Sequence, residues 1–210
     1  MSAKPTKKEQ VYRQIRQAVI SGELKPGEIM NEAEIAARFE SGKTPTREAL
    51  LLLAHENFIE TLPRVGYMVT QPTMQDILET FHLRLILEVE AIGLAVERMT
   101  PESILLLETN NQEELKLTAL PAQAQSREGA LLNRDFHVAI ARMASNARLT
   151  RIIENLIDDM VRMLITDPYL VDPSQHKRIL AAMRKRDKSV AQEAMRQHIE
   201  ETRARILNRY

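Results

Sequence analysis

The sequence predicts a mainly α-helical chain in two parts: an N-terminal winged helix-turn-helix over residues 1–71, then an antiparallel all-α helical bundle over residues 72–210. Two observations predict it. Up to Gln71-Pro72 the signals run helix, helix, tight turn, helix, hairpin; beyond it come only long runs with apolar residues every three or four positions, with no strand pattern and no internal repeat.

In the first part, Val11, Ile15, Ala18 and Val19 recur at helical spacing from Lys8 to Ser21, and Gly22 stops the pattern. Leu24-Lys25-Pro26-Gly27 reads as a turn. Asn31 then caps a short helix carrying Ile35, Ala36 and Phe39, with Glu34 as its capping-box partner. After a polar break from Glu40 to Lys43, Thr44-Pro45 begins a third helix with Pro at its first position, and Leu50, Leu51, Leu53 and Ala54 supply its buried face. Asn57 suits the left-handed position that ends a helix. Two β-type runs, Phe58 to Leu62 and Tyr67 to Thr70, flank the hairpin punctuation Pro63-Arg64-Val65-Gly66.

In the second part, Thr73 caps a helix reaching Met99, with Ile77, Phe81, Leu85, Val89, Ile92 and Val96 along one face. Thr100-Pro101 breaks the chain, and a helix follows over residues 102–117. Residues 120–126, with Pro121 and small polar side chains, read as a flexible connection. Further helices are expected over residues 127–143, 147–165, 173–186 and 188–208, with breaks at Ser145-Asn146 and Asp167-Pro168.

Composition narrows the classes. With no Cys among 210 residues, neither a disulfide framework nor a thiolate metal site is available, which suits a reducing, cytoplasmic setting. Lys4, Lys7 and Lys8 have no apolar run behind them, and no stretch reaches the roughly 18 uncharged apolar residues of a membrane span, so no membrane partner is expected. Lys plus Arg equals Asp plus Glu at 29 each, so any footprint for nucleic acid rests on local placement rather than on a basic domain.

Local placement is favourable. In a winged helix the second helix of the helix-turn-helix enters the major groove and its N-terminal residues meet the bases, which puts Lys43, Thr44, Thr46 and Arg47 there. Arg is shaped to take guanine O6 and N7 together, and Lys supplies a phosphate or single-base donor. Arg64, at the hairpin tip, is placed to reach the neighbouring backbone or minor groove. In the second part, Asn133 and His137 share a helix face four residues apart, while His176 and His198 lie on two other helices. Three imidazoles converging inside a bundle make a site for Zn, Ni or a similar divalent ion. Arg84 and Glu88 also share a face, either as an intrahelical pair or with Arg84 free to hold a carboxylate. His55 and His82 fit neither arrangement.

The segments "MNEAEIAARFESGKTPTREALLLLAHENFIE" and "PRVGYMV" resemble the DNA-binding domain of the GntR family. "RLILEVEAIGLA" from Arg84, "NRDFH" from Asn133 and "QHKRILAAMRKRDKSVAQEAMRQHI" from Gln175 resemble the FCD subgroup, whose helical domain holds a metal and an organic-acid effector. The resemblance implies DNA contacts by Lys43, Thr44, Arg47 and the wing around Arg64 and Gly66. It implies metal ligation by Asn133, His137, His176 and His198, and an effector cavity lined by Arg84 with Glu88. It departs at Glu40, where Gly is usual, at Gly42, where Ser is common, at Lys43, where Arg is frequent, and at Tyr67, where the wing has a second Gly. Asn133 replaces the usual Asp.

Three functions follow. The first is a homodimeric repressor, released from a palindromic operator by a small carboxylate. The alternative is a metal-dependent hydrolase fused to a winged helix, which needs a poised general base that has no recognisable spacing here. A structural chromatin protein would need an excess of basic charge that the composition lacks.

Overall fold

The computed structural model describes residues 5–117, 122–164 and 172–208. The chain divides into two compact units, Met1–Gln71 and Pro72–Tyr210.

The first unit contains α1 (Lys7–Ile20), β1 (Ile29–Met30), α2 (Glu32–Arg38), α3 (Lys43–His55), β2 (Ile59–Leu62) and β3 (Gly66–Val69). Capping boxes start α1 and α2: Thr6 with Glu9, and Asn31 with Glu34. Val11, Ile15 and Val19 of α1 close over Leu50 and Leu53 of α3 to form the core. The strands make one antiparallel sheet in the order β1-β3-β2, with Thr61 opposite Tyr67 and Ile29 opposite Met68. The strand β1 was not foreseen, because two residues are too short to show alternation. It is held from beside the turn, where Gly27 N–H donates to Val69 O.

Two expectations about α3 are corrected. The helix starts at Lys43 under a Gly42 cap, so Pro45 sits at the third helical position rather than the first. That costs nothing, since the first helical hydrogen bond is donated by Thr46 to Gly42 O, one residue after Pro45. Thr46 itself does not face outward: it is 0% exposed, and its hydroxyl lacks a hydrogen-bond partner. A side chain with no exposed surface does not meet a base edge, and the DNA-reading role expected of Thr46 is withdrawn. Thr46→Val keeps the shape and removes the orphaned hydroxyl, so it should stabilise the protein by about 1 kcal/mol, read as a raised midpoint of chemical unfolding.

The second unit is all-helical among the described residues: α4 (Met74–Arg98), α5 (Pro101–Leu117), α6 (Ala122–Met143), α7 (Ala147–Leu164), α8 (Pro173–Arg184) and α9 (Lys188–Leu207). Thr73 and Asp76 form the capping box of α4, and Asp187 caps α9. Helix α4 packs on α9, α6 and α7, while α5 and α9 both pack on α8. Helix α9 packs closely on α4 at Gly93, where an added Cβ would lie 2.7 Å from Gln192 Nε2. Residues 122–126, expected as a flexible connection, are the first turn and more of α6; the Ala and Gln there are good helix formers. Leu120 and Pro121, and the expected break at Asp167-Pro168, lie outside the described residues. No described helix is long and apolar enough to cross a membrane.

Candidate metal centre and DNA-reading surface

Helices α6, α8 and α9 bring His137, His176 and His198 together in the interior, with ligand atoms within 4.8 Å of one another. Each ring is gripped from behind. His137 Nδ1 lies 2.5 Å from Glu88 Oε2, His176 Nδ1 2.7 Å from Glu114 Oε2, and His198 Nδ1 2.8 Å from Gln175 Oε1. A carboxylate or amide oxygen only accepts, so each Nδ1 carries the proton and each Nε2 presents its lone pair. Gln175 is held in that orientation because its amide donates to Glu201 and its oxygen also takes Arg205 Nη2.

The lone pairs then face one another. His137 Nε2 and His198 Nε2 are 3.1 Å apart, and His176 Nε2 is buried without a partner. Two acceptors at that distance repel unless a cation lies between them. A proton is disfavoured, because burial pushes His137 below the usual imidazole range despite Glu88, and burial together with His137 and His176 holds His198 well below it. The donor set therefore fits a divalent ion, with three neutral nitrogens and hydrogen-bonded outer partners. Phe136 stacks on His176 at 4.0 Å and restrains that ring.

Glu88 also binds Arg84, whose Nε is 2.5 Å from Glu88 Oε1. Burial alone would raise the Glu88 pKa, but Arg84 and His137 outweigh it and bring it to about 2, so Glu88 is a carboxylate. The Arg84–Glu88 pair weighed from the sequence is thus present, but it is 2% exposed rather than solvated, and Arg84 Nη2 remains without a partner. Asn133, one turn before His137, is 8% exposed, and its side chain forms no hydrogen bond among the described residues. Asp135, His55 and His82 point to solvent.

Sequence reasoning missed Glu114 and Gln175. The signal for Glu114 was a polar residue at a core-facing position of α5, one turn on from Asn111 and two from Leu107 on the buried face.

On the first unit, Lys43 and Thr44 are exposed at the start of α3, and Arg47 is exposed with its Nε 3.0 Å from Glu32 Oε2. Arg64 is exposed at the wing tip in a left-handed conformation, φ 66°. Gly66 is required by the backbone: φ is 144°, and a Cβ would run into the carbonyl oxygen of Met30.

A winged helix exposing cationic side chains on its recognition helix and wing, joined to a separate helical unit, is the arrangement of a DNA-binding transcription regulator. Residues 7–69 match the family described as "Bacterial regulatory proteins, gntR family", and residues 79–201 match the FCD domain. The chain belongs to the GntR regulators of the FCD type. It is similar to the uncharacterized HTH-type transcriptional regulator YdhC of Bacillus subtilis, at 28% identity over 90% of this chain and 84% of that protein. It is equally similar to the HTH-type transcriptional repressor RspR of Escherichia coli, at 28% identity over 92% of this chain and 86% of that one. The solved structure of E. coli McbR/YncC shares the fold, with a TM-score of 0.82 at 24% identity over 99% of this chain and all of that one.

Proposed function

We propose that this regulator is a homodimeric, cytoplasmic repressor that leaves a palindromic operator when a small carboxylate binds beside a divalent metal ion, Zn or Ni, in the helical unit. The observation that carries the reading is the set of three Nε2 lone pairs converging in the interior, with the unpartnered Arg84 Nη2 nearby through Glu88. A divalent ion there supplies positive charge and an open position for an effector oxygen. Arg84 offers that carboxylate a charged donor, Glu88 and Glu114 orient their imidazoles, and Gln175 orients the third. The name of RspR supports repression, and the exposed Leu83 and Ile86 of α4 support a partner subunit. The hydrolase alternative loses ground because Glu88 and Glu114 are each committed to an imidazole Nδ1 and Asp135 is exposed.

Lys43, Thr44, Arg47 and Arg64 are the proposed DNA contacts, with Gly66 shaping the wing. Arg47→Ala should weaken specific operator binding by about 1 to 3 kcal/mol, whereas Lys43→Ala should mainly flatten its salt dependence. Titration of a selected operator at several salt concentrations checks both, and wild-type affinity in Arg47→Ala would refute the groove assignment.

Asn133 is the proposed fourth ligand, through its neutral amide oxygen. Lacking the usual Asp carboxylate, the ion keeps more charge for the effector, so metal and carboxylate should bind cooperatively. Asn133→Asp should raise metal affinity and reduce that coupling, measured by calorimetric metal titration with and without carboxylates. Failure of both variants to bind a divalent ion would overturn the metal reading.

A further inference from the structure

In the first unit an ion pair ties together the two helices of the helix-turn-helix. Glu32 is the first residue of α2 and Arg47 the fifth of α3. Arg47 Nε donates to Glu32 Oε2 at 3.0 Å. The two side chains differ in freedom: that of Arg47 is 67% exposed and that of Glu32 only 21%. Glu32 is the fixed member, since its carboxylate is largely packed away and the N-terminal end of α2 favours negative charge there. A pair with one such exposed partner adds little stability, so what it contributes is geometry. Arg38 offers a contrast. Its Nη1 is paired with Glu28 and its Nη2 with Glu23, which commits both ends of its fork.

In Arg47 the tie engages Nε alone, and among the described residues Nη1 and Nη2 have no partner. The terminal fork is therefore free while the stem behind it is held. The two N–H groups of such a fork match guanine O6 and N7, whereas adenine sets its N6–H donor against one of them. We infer that Glu32 is a specificity-determining residue, which aims the Arg47 fork end-on at guanine and keeps it from turning to the phosphates. The inference rests on the proposed reading of Arg47 as a base contact. A free Arg side chain loses rotamer freedom when it docks on a base; one already held loses less, and the saving favours only the complex in which that contact is made. The carboxylate also repels phosphate, which restrains binding to unrelated sequence.

The test is fluorescence-anisotropy titration of the full chain with an operator selected from random DNA, with the same operator after each base pair is replaced in turn, and with random duplex at several salt concentrations. Arg47→Ala identifies the pair that Arg47 reads, where the preference for the selected base should fall by about 5- to 150-fold. Glu32→Ala should lower the preference at that same pair by about three- to tenfold and leave the other pairs unchanged. Its binding to random duplex should tighten, with a steeper salt dependence. Glu32→Gln, which keeps an oxygen for the Nε–H but not the charge, should retain more of the preference than Glu32→Ala. Added to Arg47→Ala, Glu32→Ala should change the preference no further. Full preference in Glu32→Ala would overturn the inference and leave Arg47 standing as a base contact. So would a Glu32→Gln no better than Glu32→Ala, or a loss spread evenly over all pairs or persisting without Arg47, which would assign Glu32 to charge or to the fold of α2. If Arg47→Ala lowers the preference at no pair, the groove assignment and the inference fall together.

Discussion

His198→Ala is expected to abolish tight binding of zinc, with a loss well beyond the roughly 10- to 100-fold that follows removal of an outer partner such as Glu114 or Gln175. The ion would keep only two convergent imidazoles. In the wild type, ligand binding to the native state alone adds about 4 kcal/mol of stability at a thousandfold excess over Kd, so a chelator should lower its unfolding temperature markedly. The same chelator should leave His198→Ala unchanged, and an equal shift in both proteins would refute the centre. The metal-free chain should also be acid-sensitive. His137 and His198 have folded pKa values below the ordinary 6.5, so between those values and 6.5 the unfolded chain binds more protons and stability rises with pH. Their contribution is complete above 6.5 and declines as pH falls below it. Glu88, at about 2 against an ordinary 4.5, adds stability above 4.5 that is lost as pH falls toward 2. Chemical unfolding of the metal-free protein across that range should therefore show one decline below 6.5 and a further one below 4.5.

Residues 1–71 alone should bind the operator roughly 100- to 10,000-fold more weakly than the full chain at the same salt. The first unit has its own core, so the loss would come from separating two heads that the helical unit holds together, rather than from unfolding. Circular dichroism of the fragment checks the fold, and gel-shift titration checks the affinity. Equal affinity of fragment and full chain would refute dimerisation through the helical unit.

The elements were legible where local chemistry and burial agree. Asn31 with Glu34 and Thr73 with Asp76 are capping boxes written three residues apart, and the structure keeps both. Asn57 takes the left-handed conformation at φ 59°. What the sequence concealed depends on long-range partners. The strand β1 exists only because β3 returns to it. Thr46 looked like a polar reader beside Arg47, but one residue along a helix is about 100° of rotation, enough to turn it into the core. The three histidines were visible in order and spacing, whereas Glu114 acquires its role only when α5 packs on α8 and meets His176, 62 residues away.

Helix α4 also has the proportions of a lever. It runs 25 residues, roughly 37 Å, and at Gly93 it packs so closely on α9 that an added Cβ would lie 2.7 Å from Gln192 Nε2, which makes that residue a fulcrum. Glu88 lies five residues from that point and the Thr73 cap twenty, about 8 Å and 30 Å along the axis. A pivot at Gly93 would magnify a displacement at Glu88 about fourfold by the time it reached Thr73. Half an ångström of displacement at Glu88 would become about 2 Å at Thr73, a movement of the size by which helices shift in regulated proteins.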